Sequence, residues 1–498
     1  MHELCDLEVH IDGRHVFFLH QKVLCAFSGK LKRMVLMQEK RRSPAKDLGL
    51  RIMEFPGGPR GFELVSCFCY NNGSIDINPS NVGLLHSSAI LLEMTEEMVD
   101  GNLVRQTEAF LDGLFDCAWN DIITALKSCE LFFHAADSCG LLQRLISTLL
   151  AKIASNSENT LISSVSFPSS SSSPSSPDTS GFNWDWWFDG LTVLAPGTVE
   201  KIMKALGAYG SDNKNLLLTR FLLHYLKTAA QKPCCREQHS GLADTAVHGV
   251  VEVGTAAFSC RGLFKVMRVV KGLGLSRECK GKLERVTGLV LDQATLDDLL
   301  VTGHGGNGVY DVNLALRLVR TFVNSEEGGS SSQRMKKVGR LIDKYIVEIS
   351  PDHNLKISKF LEVAECLPDS ARDCFDGVYK AVDIFLESHP TLTVEERTRL
   401  CGCLNYEKLT LEACKELAKS RRVPPMVAVQ ALASQQHKVE EKWSSICKLR
   451  SVASSESEEE EEEQQLRLSF QRMLVEVCRN MKGRSGISHG SKGLPRLC

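Results

Sequence analysis

From Ser163 to Ser180 the chain reads SSVSFPSSSSSPSSPDTS, a run dominated by serine and proline. Such a segment buries too little apolar surface to offset the entropy of ordering it, so it reads as a flexible linker that no continuous core can cross. Ser173-Pro174 and Ser176-Pro177 have the form of phosphoacceptor pairs, although linker composition accounts for them equally. A second low-complexity run, Ser451 to Gln465, carries Glu456 and Glu458 to Glu463, whose mutual repulsion makes a solvated spacer first and an interaction tail second. With 498 residues the chain also exceeds what one hydrophobic core usually serves, and two or three folding units are expected.

Composition narrows the classes. Lys and Arg number 59 against 61 Asp and Glu, with 43% hydrophobic residues, which disfavours both a globally basic nucleic-acid binder and a wholly disordered chain. The 19 cysteines form no CxxC pair, so no zinc module is expected and no metal or cofactor is invoked. Met1-His2-Glu3-Leu4-Cys5-Asp6 has acidic residues where a secretory signal needs an apolar stretch, and no segment reaches the ~20 apolar residues of a membrane span. An intracellular protein with reduced, mostly buried thiols is the expectation, cytoplasmic and with the nucleus open to it.

The first part alternates strand and helix periods. Leu7, Val9 and Ile11 alternate with polar residues, Gly13 turns the chain, and Val16 to Leu19 resumes an apolar run, which predicts a hairpin. Val23, Leu24, Phe27, Leu31, Met34 and Val35 then share one face of a predicted helix. Arg51 to Phe55 reads as a short strand ended by Pro56-Gly57-Gly58, after which Phe62, Leu64, Val65 and Phe68 begin another helical stripe. Ile75 and Ile77 follow an Asn71-Asn72-Gly73 turn.

The run CDLEVHIDGRHVFFLHQKVLCAFSGKLKRMV, with Asp6, Phe17, Leu19, His20, Leu24, Ser28 and Leu31, resembles the start of a BTB/POZ domain. FPGGPRGFELVSCFCYNN and LLEMTEEMVDGNLV are similar to the plant non-phototropic hypocotyl 3 and root phototropism 2 group, whose members follow a BTB domain with a family-specific helical domain. His20-Gln21 departs from the commoner His-Lys, a difference of surface chemistry. Beyond the linker, Trp186-Trp187-Phe188 with Asp189 and Leu191 resembles the opening of that helical domain. The stretches Leu291 to Leu300, Tyr310-Asp311-Val312, Leu355 to Phe360, Leu367-Pro368-Asp369 and Asp376 to Leu386 recur in the family in this order. Residues 229–262 carry none of these motifs.

The helical reading also stands on the residues themselves. Val378, Val382, Phe385 and Leu386 make one apolar stripe on a helix that Pro390 stops. Thr393-Val394-Glu395-Glu396 has capping-box spacing, and Pro424-Pro425 opens a further helix. The chain therefore parses into an α+β BTB/POZ domain at 1–112, a helical bridge at 113–162, the linker at 163–181 and an all-α domain at 182–437. A polar and acidic spacer at 438–465 and a basic amphipathic tail at 466–498 follow.

Four features are candidates for chemistry or binding. Trp184, Trp186 and Trp187 read either as a buried anchor where the linker meets a core or as a partner-binding platform. Tyr379, in the signature helix, reads as an amphipathic core tyrosine or as a phosphorylation site. In the tail, seven Lys/Arg stand against Glu476, and Leu466, Phe470, Met473, Leu474, Val477 and Met481 share a stripe, which suits a short coiled coil or a helix lying on anionic lipid. Gly303-His304-Gly305-Gly306-Asn307-Gly308 follows a helical stretch instead of a strand, so a surface loop is preferred to a phosphate cradle. His20, His224, His353 and His389 lack any catalytic context, and no catalytic residue is assigned.

The resemblance implies a non-catalytic adaptor of a cullin-3 RING ubiquitin ligase. Its BTB domain would contact cullin-3 and form homo- or heterodimers with BTB proteins, while the helical domain presents a substrate protein in plant light or auxin signalling. The alternative is a non-ligase signalling scaffold linking photoreceptor kinases or auxin transport at the plasma membrane, where family members associate. With Cys498 as the last residue no prenylation box is expected, and without an Arg-x-Ser ending, through which some relatives bind phosphoserine readers, regulation by that route is not expected.

Overall fold

The computed structural model describes residues 5–40, 49–163, 186–231, 236–303, 309–326 and 332–435, together with 468, 472 and 475. It is mostly helical, with a small N-terminal sheet, and divides into two compact units. The first comprises Met1–Val253 and Val269–Cys279, the second Gly254–Arg268 and Lys280–Cys498.

The first unit begins with the expected hairpin. Strand β1 (Leu7–Ile11) pairs antiparallel with β2 (His15–Leu19), and β3 (Gly49–Ile52) adds in parallel on the other side, in the order β2-β1-β3. Asp12 and Gly13 close the hairpin with φ of 54° and 68°, the left-handed region in which glycine is at ease. Leu7, Val9 and Ile11 point into the core, as their alternation requires. On the opposite face, Val16 and Phe18 of the edge strand are exposed.

The helix expected from Val23 to Val35 is two helices. Helix α1 (Gln21–Phe27) ends at Ser28, which takes an extended conformation (φ −113°, ψ 114°), and α2 (Gly29–Lys40) starts anew. The Ser28 hydroxyl donates to the Leu92 carbonyl at 2.7 Å and accepts from the Leu31 amide at 3.2 Å, exchanging helical continuity for a local cap and a long-range tie. Leu24, Phe27, Leu31 and Val35 still reach one core, with Phe62, Val65 and Phe68 of α3 (Gly58–Tyr70) and Leu85 and Leu92 of α4 (Val82–Leu92). Helix α5 (Leu103–Gly113) is capped by Asn102, whose side chain accepts from the Leu103 amide.

A second hydrophobic cluster in this unit starts at Val82 on α4 and takes in Ile122, Leu126, Leu145 and Leu149 from the bridge region. It continues with Trp187, Phe188, Phe221 and Leu226, from beyond the serine-rich run, and with Ala243 and Ala246 of the helix Ser240–Val253. Residues 113–150 and 187–246 thus share one core within the unit. The linker residues 164–181 lie outside the described residues.

The second unit is built from helices. Val312–Glu326, Ser332–Ile349, Ile357–Ala364, Asp376–Ser388, Val394–Cys401 and Leu411–Lys419 follow one another, and residues 425–435 are helical after Pro424. The capping box forms as expected: the Thr393 hydroxyl accepts from the Glu396 amide, and the Glu396 carboxylate accepts from the Thr393 amide. The helix Ser332–Ile349 approaches its neighbours closely at Gly339, where a Cβ would stand 2.3 Å from the Ala371 carbonyl oxygen. Only glycine fits there.

Among the described tail residues, Leu468, Arg472 and Val475 are helical and exposed. Leu466, Phe470, Met473, Leu474, Val477 and Met481, which carry the expected stripe, lie outside the described residues. No described helix is long and apolar enough to cross a membrane.

Candidate functional site

The tryptophan motif packs into the first unit. Trp187 is 4% exposed, and its indole meets Phe188 at 4.7 Å and Phe221 at 4.8 Å between ring centroids. Trp186 is half-buried and packs edge-on against Trp119 of the bridge at 4.8 Å. Gly190 makes room for this, since a Cβ on it would stand 2.5 Å from Trp119 Nε1. Tyr225 completes the group by donating from its hydroxyl to the Leu194 carbonyl. This geometry is that of an anchor holding the chain beyond the linker to the bridge helices. Trp184 lies outside the described residues.

Tyr379 is 6% exposed in the helix Asp376–Ser388, with Val378, Val382 and Phe385 buried beside it. Burial, with Asp383 and Glu416 nearby, pushes its phenol well above the usual tyrosine range, so the hydroxyl stays neutral in the folded state. The histidines occupy structural positions. His20 caps α1 and its ring and backbone amide both meet the Tyr70 hydroxyl at 2.8 Å. His224 pairs with Asp189 at 2.8 Å, and the His353 and His389 rings each meet a backbone carbonyl, of Ser388 and Phe385 respectively. The glycine run is preceded by the helix Leu296–Leu299, and its ends are tied by an antiparallel bridge between Thr302 and Tyr310. Residues 304–308 lie outside the described residues.

Thiol chemistry follows burial. Cys67 is exposed on α3, whereas Cys69, two residues on, faces the core and burial pushes its thiol up to about 12. At pH 8 roughly one in ten thousand such thiols is ionised. Iodoacetamide labelling of the folded chain, followed by peptide mass spectrometry, is therefore expected to modify Cys67 fully while Cys69 stays unmodified. Equal labelling of the two would contradict the burial of Cys69.

A concave feature of the second unit was not visible in any single motif. A cavity of about 590 Å³ is lined by Glu365, Asp369, Arg372, Phe375, Tyr406 and Glu407, among others. Glu365 caps the helix Ile357–Ala364, Asp369 opens the short turn Asp369–Ala371, and Phe375 precedes the helix Asp376–Ser388. Tyr406 and Glu407 come from the turn Tyr406–Lys408, which Gln435 holds by donating to the Tyr406 and Leu409 carbonyls. Arg372 is 4% exposed; its Nε donates to Asp343 at 2.7 Å and its Nη1 to the Ala364 carbonyl at 2.9 Å. Lys408 donates to the Arg372 carbonyl and pairs with Asp369, and Asn405 donates to the same carboxylate. Burial pushes the thiol of Cys403, also in the lining, up to about 12, so the cavity presents a neutral sulfur. The sequence signal that existed was the dense turn-and-charge run around Leu367-Pro368-Asp369, read only as a family motif.

Apolar side chains are also exposed in the N-terminal part of the first unit: Leu36 and Met37 on α2, and Phe18 on β2.

Comparison with known proteins gives a consistent set. A match to the NPH3 family spans residues 185–414. The chain is 47% identical over 462 residues to BTB/POZ domain-containing protein At1g50280 of Arabidopsis thaliana, covering 87% of this chain and 88% of the relative. It is 34% identical to BTB/POZ domain-containing protein At3g22104 of the same plant, covering 84% of this chain and 82% of the relative. Root phototropism protein 3 of Arabidopsis thaliana is 28% identical, with 87% of this chain and 74% of the relative covered.

Proposed function

Because the chain belongs to the NPH3 family of BTB/POZ domain-containing proteins, we propose that it is a substrate-recruiting adaptor of a cullin-3 RING ubiquitin ligase. The observation that carries this reading is the alignment itself. It covers 87% and 84% of this chain in two relatives that bear the BTB/POZ name. In this reading the BTB part holds cullin-3 and a second BTB protein, and the exposed Leu36 and Met37 of α2 suit such a docking face. The helical part presents a substrate protein, and the ubiquitin chemistry belongs to other subunits. The adaptor then acts by effective concentration, and dimerisation adds avidity. Family membership directs the proposal towards light or auxin signalling in plants.

The second reading is a signalling scaffold peripheral to the plasma membrane, and the specific observation favouring it is the basic tail, with seven Lys/Arg from Gln464 onward against Glu476. One experiment separates the two. Purified full-length chain is expected to co-elute with the N-terminal domain of a plant cullin-3 at micromolar concentrations. Absence of co-elution, combined with flotation of the same protein on anionic liposomes, would overturn the adaptor reading in favour of the scaffold.

A further inference from the structure

The acidic run Glu456 and Glu458 to Glu463 has no part in the adaptor reading, and the second unit offers it a counterpart. The helix Ser332–Ile349 turns Val338, Leu341, Ile342, Tyr345 and Ile346 into the core. Lys337, Arg340 and Lys344 follow one another at spacings of three and four on its outer side, so they share one exposed face. None of the three makes an ion pair among the described residues. The acids nearby are engaged elsewhere. Asp373 pairs with Lys336 at 2.8 Å, Asp292 with Arg334, and Asp343 with Arg372. Lys408 and Arg340 add to the pull of Lys336 on the Asp373 carboxyl, which is held below the usual carboxylate range.

A row of exposed cations is ordinarily a solvated face, and here the path of the chain points to what covers it. Gln435, the last described residue before the acidic run, donates to the Leu409 carbonyl, and Lys408 donates to the Arg372 carbonyl. Arg372 and Asp373 in turn meet the helix Ser332–Ile349 through Asp343 and Lys336. The chain therefore leaves the described fold a short series of contacts from the cationic face. About 20 residues separate Gln435 from Glu456, and a coil of that length spans roughly 25 Å. Each exposed ion pair contributes little, but a tether of this kind holds the seven carboxylates at an effective concentration of about millimolar.

We propose that the acidic run folds back on its own chain and covers the face formed by Lys337, Arg340 and Lys344. The run is then an intrachain competitor of any acidic partner of this helix. The inference stands apart from the adaptor reading and survives its failure.

Zero-length carbodiimide cross-linking of the full-length chain, read by peptide mass spectrometry on a mixture of isotope-labelled and unlabelled protein, tests it. Cross-links from the acidic run to Lys337 and Lys344 are expected within single chains. They should fall at least about fivefold at 1 M salt, where charges are screened within about 3 Å. As a second measurement, lysine acylation rates are compared with those of a variant in which Glu456 and Glu458 to Glu463 are all replaced by Gln. Lys337 and Lys344 should react at least about threefold faster in the variant, as exposed pairs of this kind imply, while the exposed Lys265 is unchanged. Cross-links that join labelled to unlabelled chains, or that reach only Lys482 and Lys492 of the tail, overturn the proposal. Equal acylation of Lys337 and Lys344 in the two proteins also overturns it, since the run then leaves this face open.

Discussion

Trp187→Ala is expected to cost the first unit about 3–5 kcal/mol, the range for deleting a large buried aromatic whose surroundings relax only in part. The indole is nearly inaccessible and touches both Phe188 and Phe221, so its loss leaves a void between the motif and the helix Leu216–Ala230. Native-state hydrogen exchange reads this locally. Amides of the helix Leu216–Ala230, which carries Phe221, should lose roughly two-hundredfold to five-thousandfold in protection. Trp186→Ala should cost distinctly less, because that indole is half-exposed and its contact is with Trp119. A fall of less than tenfold for Trp187→Ala would remove the anchor assignment.

The second large effect is expected at Arg372→Met, which keeps an unbranched apolar stem and deletes the guanidinium. Asp343 would then remain largely buried without its guanidinium, and breaking a buried pair from one side costs about 3–5 kcal/mol. In the native protein, burial already pushes the Asp343 carboxyl up, with Arg372 drawing it partly back. Removing Arg372 takes away the lowering influence, so the folded-state value rises further above that of the unfolded chain. A carboxyl raised in this way contributes its stability below its unfolded value and loses it as pH rises through the folded value. The deficit of Arg372→Met is therefore largest near neutral pH and shrinks on acidification. Exchange protection in the helix Ser332–Ile349, measured at pH 7 and pH 5, checks both parts, and Arg372→Met/Asp343→Leu should recover part of the loss. A deficit that does not change with pH would show that lost packing, not the stranded carboxylate, sets the cost.

Much of the architecture was legible in local periodicity. Leu7, Val9 and Ile11 announced a half-buried strand, and Val378, Val382, Phe385 and Leu386 a helix, because period follows directly from backbone geometry. The Thr393 capping box and the Pro424-Pro425 start were equally readable, since each depends on residues within one turn. The break at Ser28 was not. The apolar stripe continues through it, and the hydroxyl's partner, Leu92, is 64 residues away. Trp187 was legible as a cluster but not as anchor or platform, because burial is a property of what packs around a side chain. The cavity was the least legible, as Glu365, Arg372 and Glu407 come from three connections between helices and carry no spacing that links them.

The sequence alone determined the element types, the family and the charge contrast between an acidic spacer and a basic tail, all of which are written in neighbouring residues. Only the tertiary structure decided that residues 113–150 and 187–246 share one core, and that Arg372, matched by Asp343, lines one cavity with Glu365 and Glu407. The physical reason is the same in both cases. Burial and electrostatic pairing are fixed by distances in space, and helices separated by long connections set those distances through packing that no local pattern encodes.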